Sequence, residues 1–242
     1  MAKFYGARSK YLVWSKNVSK YAALVWLFFI AGIFIYLPLN PKFKFLSLPG
    51  FIACASVFGP ILWFIYWQFR KEEHSLYSFA SGLRGEDKVA EELKKLDDSF
   101  TVFWDIKLPG RKDNIDFVVI GPSGNFLVEV KNHKGEIGYD GKQITCNGKL
   151  FETNFLRRAK AQAGALSEYL ELIIHKKTFI NPVVVFSNPY AHTKLGQKPI
   201  DGVYIVCSSW LTKIISTYPL SGHDVEKELL DTLTELKLKR TL

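Results

Sequence analysis

Asp116, Glu129 and Lys131 are the residues whose types and spacing best support chemistry. They lie in the stretch Asn114-Ile-Asp116-Phe-Val-Val-Ile-Gly-Pro-Ser-Gly-Asn-Phe-Leu-Val-Glu129-Val-Lys131. It reads as two apolar strands, Ile115 to Ile120 and Phe126 to Val130, joined by a Gly-Pro-Ser-Gly turn. Both strands are mostly apolar on both faces, as expected of central strands covered on both sides. Bare charges are costly to bury in such a setting. A turn centred between Pro122 and Ser123 sets Asp116 opposite Glu129, and Lys131 shares that face by the strand period of two. Opposed like charges repel. A divalent cation between them removes the conflict, and hard oxygen ligands suit Mg²⁺ or Mn²⁺. Lys131 could then orient or deprotonate a water, or stabilise charge on a phosphate. The plainer reading is a structural Glu129–Lys131 pair at a strand end with Asp116 exposed. The residues alone leave both open.

The elements that must position these groups follow from periodicity. A helix is predicted from about Leu83 to Leu96, with Leu83, Glu86, Ala90 and Leu93 on one stripe, so Glu86 faces inward. An acid early in a helix also complements its dipole. Phe100 to Ile106 reads as a strand. The following loop carries Arg111 and Lys112, which are either phosphate contacts or a solvated pair. After Lys131, Asp140-Gly141 and Asn147-Gly148 mark hairpin turns, giving a small β-excursion on the edge of the main sheet. His133 reads as a solvated loop residue. A helix from Asn154 to about Ile174 has Leu156, Ala159, Ala163, Leu166, Leu170 and Ile173 as its core stripe, with Gln162 beside it. Arg157 and Arg158 are either phosphate contacts or part of an exposed face. Strands at Asn181–Phe186 and Val203–Cys207 and a helix at 224–238 complete the reading, with Ser208 and Ser209 as helix caps.

This ordered series (Gly85-Glu86, Asn114-Ile-Asp116, Val128-Glu129-Val-Lys131-Asn, then Lys134-Gly-Glu-Ile) resembles the nuclease-related domain, NERD, over about residues 80 to 190. That family lies within the PD-(D/E)xK superfamily of restriction-endonuclease-like fold. The resemblance implies phosphodiester hydrolysis of nucleic acid, with DNA the expected substrate. It implies Mg²⁺ or Mn²⁺ on Asp116 and Glu129, Glu86 helping to hold metal or water, and Gln162 turned towards the site. The chain departs from the pattern in two places. No proline follows Asn154, and Leu166 stands where related nucleases have a tyrosine.

No charged residue occurs between Lys20 and Lys42, or between Lys44 and Arg70. Each run is long enough to cross a bilayer as a helix, so residues 21–69 are expected to form a transmembrane hairpin, about 21–39 and 46–69. The first run is too long and too far from the N-terminus for a cleaved signal peptide. Lys3, Arg8, Lys10, Lys16 and Lys20 precede it without an acid, and only Lys42 and Lys44 lie in the connection. The positive-inside rule puts the N-terminus and everything from Arg70 onward in the cytoplasm, at the cell membrane.

The net charge of +9 reflects this layout. From Arg70 onward 25 basic residues face 23 acids, so the excess belongs mostly to membrane topology and anionic lipid. It is no argument for nucleic acid. Cys54, Cys146 and Cys207 are too dispersed for a disulfide framework or a Cys-x-x-Cys metal site.

The expected fold class is therefore α/β, a restriction-endonuclease-like mixed β-sheet flanked by helices and preceded by a two-helix transmembrane hairpin. The division is a basic N-terminus (1–20), the hairpin (21–69), a connector (70–82), the nuclease-like domain (83–190), and a C-terminal part (191–242) packing on that domain. The expected activity is a membrane-anchored, metal-dependent nuclease. The alternative is a catalytically silent nuclease fold that tethers nucleic acid or a protein partner to the lipid bilayer. The sequence does not give an oligomeric state.

Overall fold

A computed structural model describes residues 1–5, 60, 63, 67, 80–195, 198–217 and 227–238. The chain divides into two compact units, residues 1–8 with 81–242, and residues 9–80. In the second unit Pro60, Trp63 and Trp67 are helical and exposed. The rest of the expected hairpin, 21–39 and 46–69, lies outside the described residues. Among the described residues no helix is long and apolar enough to cross a membrane.

The first unit is built on a six-stranded mixed sheet in the order β1-β2-β3-β4-β8-β10. Its strands are β1 (Lys3–Tyr5), β2 (Thr101–Lys107), β3 (Asn114–Gly121), β4 (Gly124–Lys131), β8 (Asn181–Phe186) and β10 (Tyr204–Cys207). β3 and β4 form the expected hairpin, in register from Gly121 opposite Gly124 to Phe117 opposite Val128. β4 then pairs parallel with β8, which makes it a central strand.

Helices cover both faces, which is why these strands are apolar on both sides. Residues 81–93 form α1, whose Val89, Ala90 and Leu93 pack under Phe117, Val119, Phe126 and Val128. The same layer holds Leu211, Ile214 and Ile215 of α3 (Ser208–Thr217). On the opposite face α2 (Phe155–Ile174) contributes Ala163, Leu166 and Leu170, and α4 (Lys227–Leu238) contributes Leu229, Leu233 and Leu236. Asn154 caps α2 by accepting the Arg157 backbone N–H at 3.1 Å. The α2 stripe runs as expected except at its end, where Ile173 is exposed.

Two expectations need correction. The segment after Lys131 does not extend the main sheet. β5 (Gly135–Tyr139), β6 (Ile144–Cys146), β7 (Lys149–Leu150) and β9 (Ala191–Thr193) form a separate sheet in the order β7-β6-β5-β9. The edges of β4 are already occupied by β3 and β8, so the excursion must pair elsewhere. β9 supplies its partner through a parallel register with β5.

The basic N-terminus is also more than a tail. β1 pairs parallel with β2, Lys3 opposite Thr101, and forms the edge of the main sheet. Ala2 is buried, Phe4 packs against the core, and Tyr5 stacks on Phe103 at 5.3 Å. A three-residue strand among lysines gives too little periodicity to be read from sequence.

Candidate active site

The site forms where β3 and β4 part. Their ladder stops at Phe117 and Val128, one residue short of the pairing that would set Asp116 against Glu129. Asp116 instead turns its Oδ2 to the Val130 backbone N–H, which donates at 2.7 Å. On the other side of β3, Trp104 pairs with Phe117 and Ile106 with Ile115, but Asp105 and Asp116 between them do not pair. Asp105 adopts φ +59°, a left-handed conformation that aspartate tolerates better than most residues. The break reverses the side-chain alternation, so that Phe103 and Ile106 join one cluster despite their odd spacing. Asp105 Oδ1 accepts from Asn114 Nδ2 at 2.8 Å, and Lys237 Nζ donates to the Trp104 and Asp105 carbonyls. A kink held from three sides thus opens the sheet beside Asp116.

Asp116 is partly accessible, yet its carboxyl pKa is raised to about 8. Burial is the main cause, followed by the Glu129 charge. The Val130 N–H opposes the rise, Glu86 adds to it, and Lys131 opposes it. The expected clash of carboxylates is therefore present although the two residues are not ladder partners.

Glu129 is 1 % exposed. Its Oε1 is 2.6 Å from Lys131 Nζ and 3.3 Å from Arg158 Nε. Its Oε2 is buried without a hydrogen-bond donor. Two cations thus share one oxygen while the other is left open, an arrangement that protein–protein bonding does not account for.

Gly85 explains how α1 reaches this place. A Cβ there would lie 2.5 Å from Ser187 Oγ and 3.0 Å from Asn132 Cβ, so glycine lets the helix approach the ends of β4 and β8 without displacing either side chain. Asn132 Nδ2 fastens the same junction by donating to the Ser81 carbonyl at 2.7 Å. Glu86, one residue on, then acts on Asp116 through its charge, while its Oε2 accepts from Trp104 Nε1 at 3.4 Å.

Gln162 is buried at 1 % exposure and reaches the start of β3 rather than the two carboxylates. Its Nε2 donates to Asp113 Oδ2 at 3.1 Å and to the Asn114 carbonyl at 3.3 Å, and its Oε1 has no partner. Burial opposes ionisation of Asp113, but the hydrogen bonds from Arg111 and Gln162 outweigh it and hold the carboxyl below its ordinary pKa. Arg111 Nε is engaged with Asp113 Oδ1 at 3.1 Å. Lys112 and Arg157 are exposed. Sequence reasoning missed Asp105 and Asp113. For Asp105 the available signal was an aspartate inside an apolar strand, where that residue is disfavoured; Asp113 lies in the polar loop before β3 and offered none.

Asp116 and Glu129 offer hard oxygen donors, and Glu129 Oε2 is a buried acceptor without a donor. Both suit Mg²⁺ or Mn²⁺. Among the described residues no three His, Cys, Asp or Glu side chains converge as a ready-made metal cage. The fit therefore rests on the two carboxylates, with Glu86 acting on Asp116 through its charge.

Residues 81–187 match the family described as the nuclease-related domain, NERD. The matched stretch is less than half of the chain and runs from α1 through β8, so it includes every residue of this site from Glu86 to Gln162. No curated protein and no solved structure matches the chain.

Proposed function

We propose that this protein is a metal-dependent nuclease that hydrolyses phosphodiester bonds, with DNA the expected substrate. One observation carries the reading: Glu129 is buried with one oxygen held by two cations and the other open, next to Asp116, whose proton it helps to retain. A purely structural ion pair would satisfy both oxygens. The nuclease-related match over the same residues supports phosphodiester chemistry.

In this reading Asp116 and Glu129 would hold Mg²⁺ or Mn²⁺, and Glu86, whose charge is felt at Asp116, would act through a water. The bound cation supplies Lewis-acid charge and an acidified water. Lys131, fixed by Glu129 at 2.6 Å, orients the attacking water or stabilises charge on the scissile phosphate. Arg158 is 41 % exposed and extends the positive field towards the substrate backbone. Gln162 and Asp113 act as positioning residues by holding the start of β3. Arg111, tied to Asp113, keeps a lesser role, and Lys112 and Arg157 remain candidate backbone contacts.

The two uncharged runs support an anchor in the cell membrane with both ends cytoplasmic. β1 adds support of another kind. Residues 3–5 and 101–103 share one sheet, so the chain must begin and end the intervening segment on the same side of any bilayer it crosses. That matches two spans.

The test is cleavage of mixed single- and double-stranded DNA and RNA by the full-length protein in detergent, with Mg²⁺, with Mn²⁺ and with EDTA. Metal-dependent cleavage of any substrate supports the reading. No cleavage under all conditions transfers it to the silent tethering module.

A further inference from the structure

We propose that His133, backed by Phe151 and Phe155, is a stacking platform that seats an unpaired nucleobase beside the phosphate bound at Lys131. This rests on the nuclease reading and specifies its substrate as single-stranded nucleic acid. His133 is an exposed residue whose ring is partly covered, lying 4.8 Å from that of Phe151 at a tilt of 57° and 6.1 Å from that of Phe155 at a tilt of 31°. Phe151 and Phe155 are themselves 4.7 Å apart, and Phe151 lies over Phe186 at 6.3 Å. These rings rise from the buried core to one exposed imidazole.

The platform adjoins the candidate site directly. Lys131 Nζ, 2.6 Å from Glu129 Oε1, also sits 4.9 Å from the centre of the Phe155 ring. One ammonium therefore touches both the carboxylate and the base of the aromatic stack. The surroundings suit a polyanion: exposed Arg158 lies 3.3 Å from Glu129 Oε1, and exposed Lys134 follows His133 on the same loop. The small sheet now has a purpose. The Asn147-Gly148 turn between β6 and β7 returns the chain so that Phe151 meets Phe155. Burial and the Lys131 charge both lower the His133 pKa and favour the neutral ring.

An exposed imidazole held at a tilt by two phenyl rings can take a base by stacking, and only an unpaired base can splay out to meet it. Bases within a duplex already have both faces covered by neighbours. A docking surface for protein would need no basic fringe of this kind.

The experiment measures binding without cleavage, by fluorescence anisotropy in EDTA with full-length protein in detergent. The probes are fluorescein-labelled oligo(dT), oligo(U) and a duplex DNA, each about 12 nucleotides or base pairs long. His133→Ala should weaken binding of oligo(dT) or oligo(U) about 5- to 50-fold, His133→Tyr should restore it, and duplex binding should not change. Thermal midpoints of parent and variants are measured alongside, and His133→Tyr, which keeps a ring on Phe151, separates lost stacking from a folding defect. Equal single-strand binding by parent and His133→Ala would overturn the proposal. So would equal losses for strand and duplex, or no rescue by tyrosine, or no binding by the parent. Cleavage with Mg²⁺ or Mn²⁺ is scored separately. His133-dependent binding without cleavage removes the nuclease reading and leaves the platform, whereas cleavage together with single-strand binding that does not depend on His133 does the reverse.

Discussion

Asp116→Asn offers a test in which loss of function and gain of stability should occur together. Without a metal, burial and the Glu129 charge push the Asp116 carboxyl up to about 8, against an ordinary 3.8. A raised carboxyl pKa means that the folded state holds the proton more tightly than the unfolded chain. The associated stability is complete below about pH 4 and is lost as pH rises towards 8. At 1.36 kcal/mol per unit, the full window corresponds to a ceiling of roughly 6 kcal/mol, of which about 4 has gone by pH 7. Glu129 shares the titration, so the measured loss belongs to the pair and falls below this ceiling. Asparagine keeps an acceptor for the Val130 N–H and carries no charge to repel Glu129. In EDTA at pH 7.5, Asp116→Asn should therefore melt about 5–10 °C above the parent, taking 2–4 °C per kcal/mol for a domain of this size. The two proteins should converge near pH 4. Thermal melts from pH 4 to 8 check this. Parallel profiles, or a less stable Asp116→Asn at pH 7.5, would refute the electrostatic account of the site.

Glu129→Gln relieves the same repulsion but leaves the Lys131 ammonium, 16 % exposed, without its carboxylate. It should therefore melt below Asp116→Asn in EDTA at pH 7.5, by an amount on the order of 1–3 kcal/mol. Lys131→Ala should abolish most cleavage in single-turnover assays while changing Mn²⁺ affinity little, since an ammonium is not a ligand. Deleting residues 2–5 removes the edge strand with its Phe4 and Tyr5 contacts. That should destabilise the first unit by about 2–4 kcal/mol, seen as a lower melting temperature of its unfolding transition. Reporter or cysteine labels at residue 42 and at the C-terminus should lie on opposite sides of the membrane; finding both on one side would contradict the two-span topology.

The apolar pattern was enough to read β3, β4 and β8, because central strands leave long hydrophobic runs between turn residues. The register of the β3–β4 hairpin was legible from its four-residue turn. The splaying at Asp116 was not. It depends on the left-handed Asp105, on Asn114, and on Lys237 from the far end of the chain, and no local pattern connects these. Glu86 was placed on the inner face of its helix by periodicity alone, but its bond to Trp104 and the role of Gly85 required coordinates. Gln162 shows the limit of analogy. Its spacing set it beside the core stripe, yet its amide turns to Asp113 and Asn114, away from the two carboxylates. β1 and β9 were hidden for a simpler reason: three-residue strands borrow their stability from partners distant in sequence.

Titration of the metal-free protein with Mn²⁺, parent against Asp116→Asn, tests the central claim most directly, because that substitution is expected to leave a folded and more stable domain. The parent should bind Mn²⁺ saturably and its melting temperature should rise with the ion, as for any ligand that binds only the folded state. Asp116→Asn should lose most of that affinity and show no comparable rise. Equal Mn²⁺ binding and equal thermal shifts in the two proteins would contradict a metal site at Asp116 and Glu129.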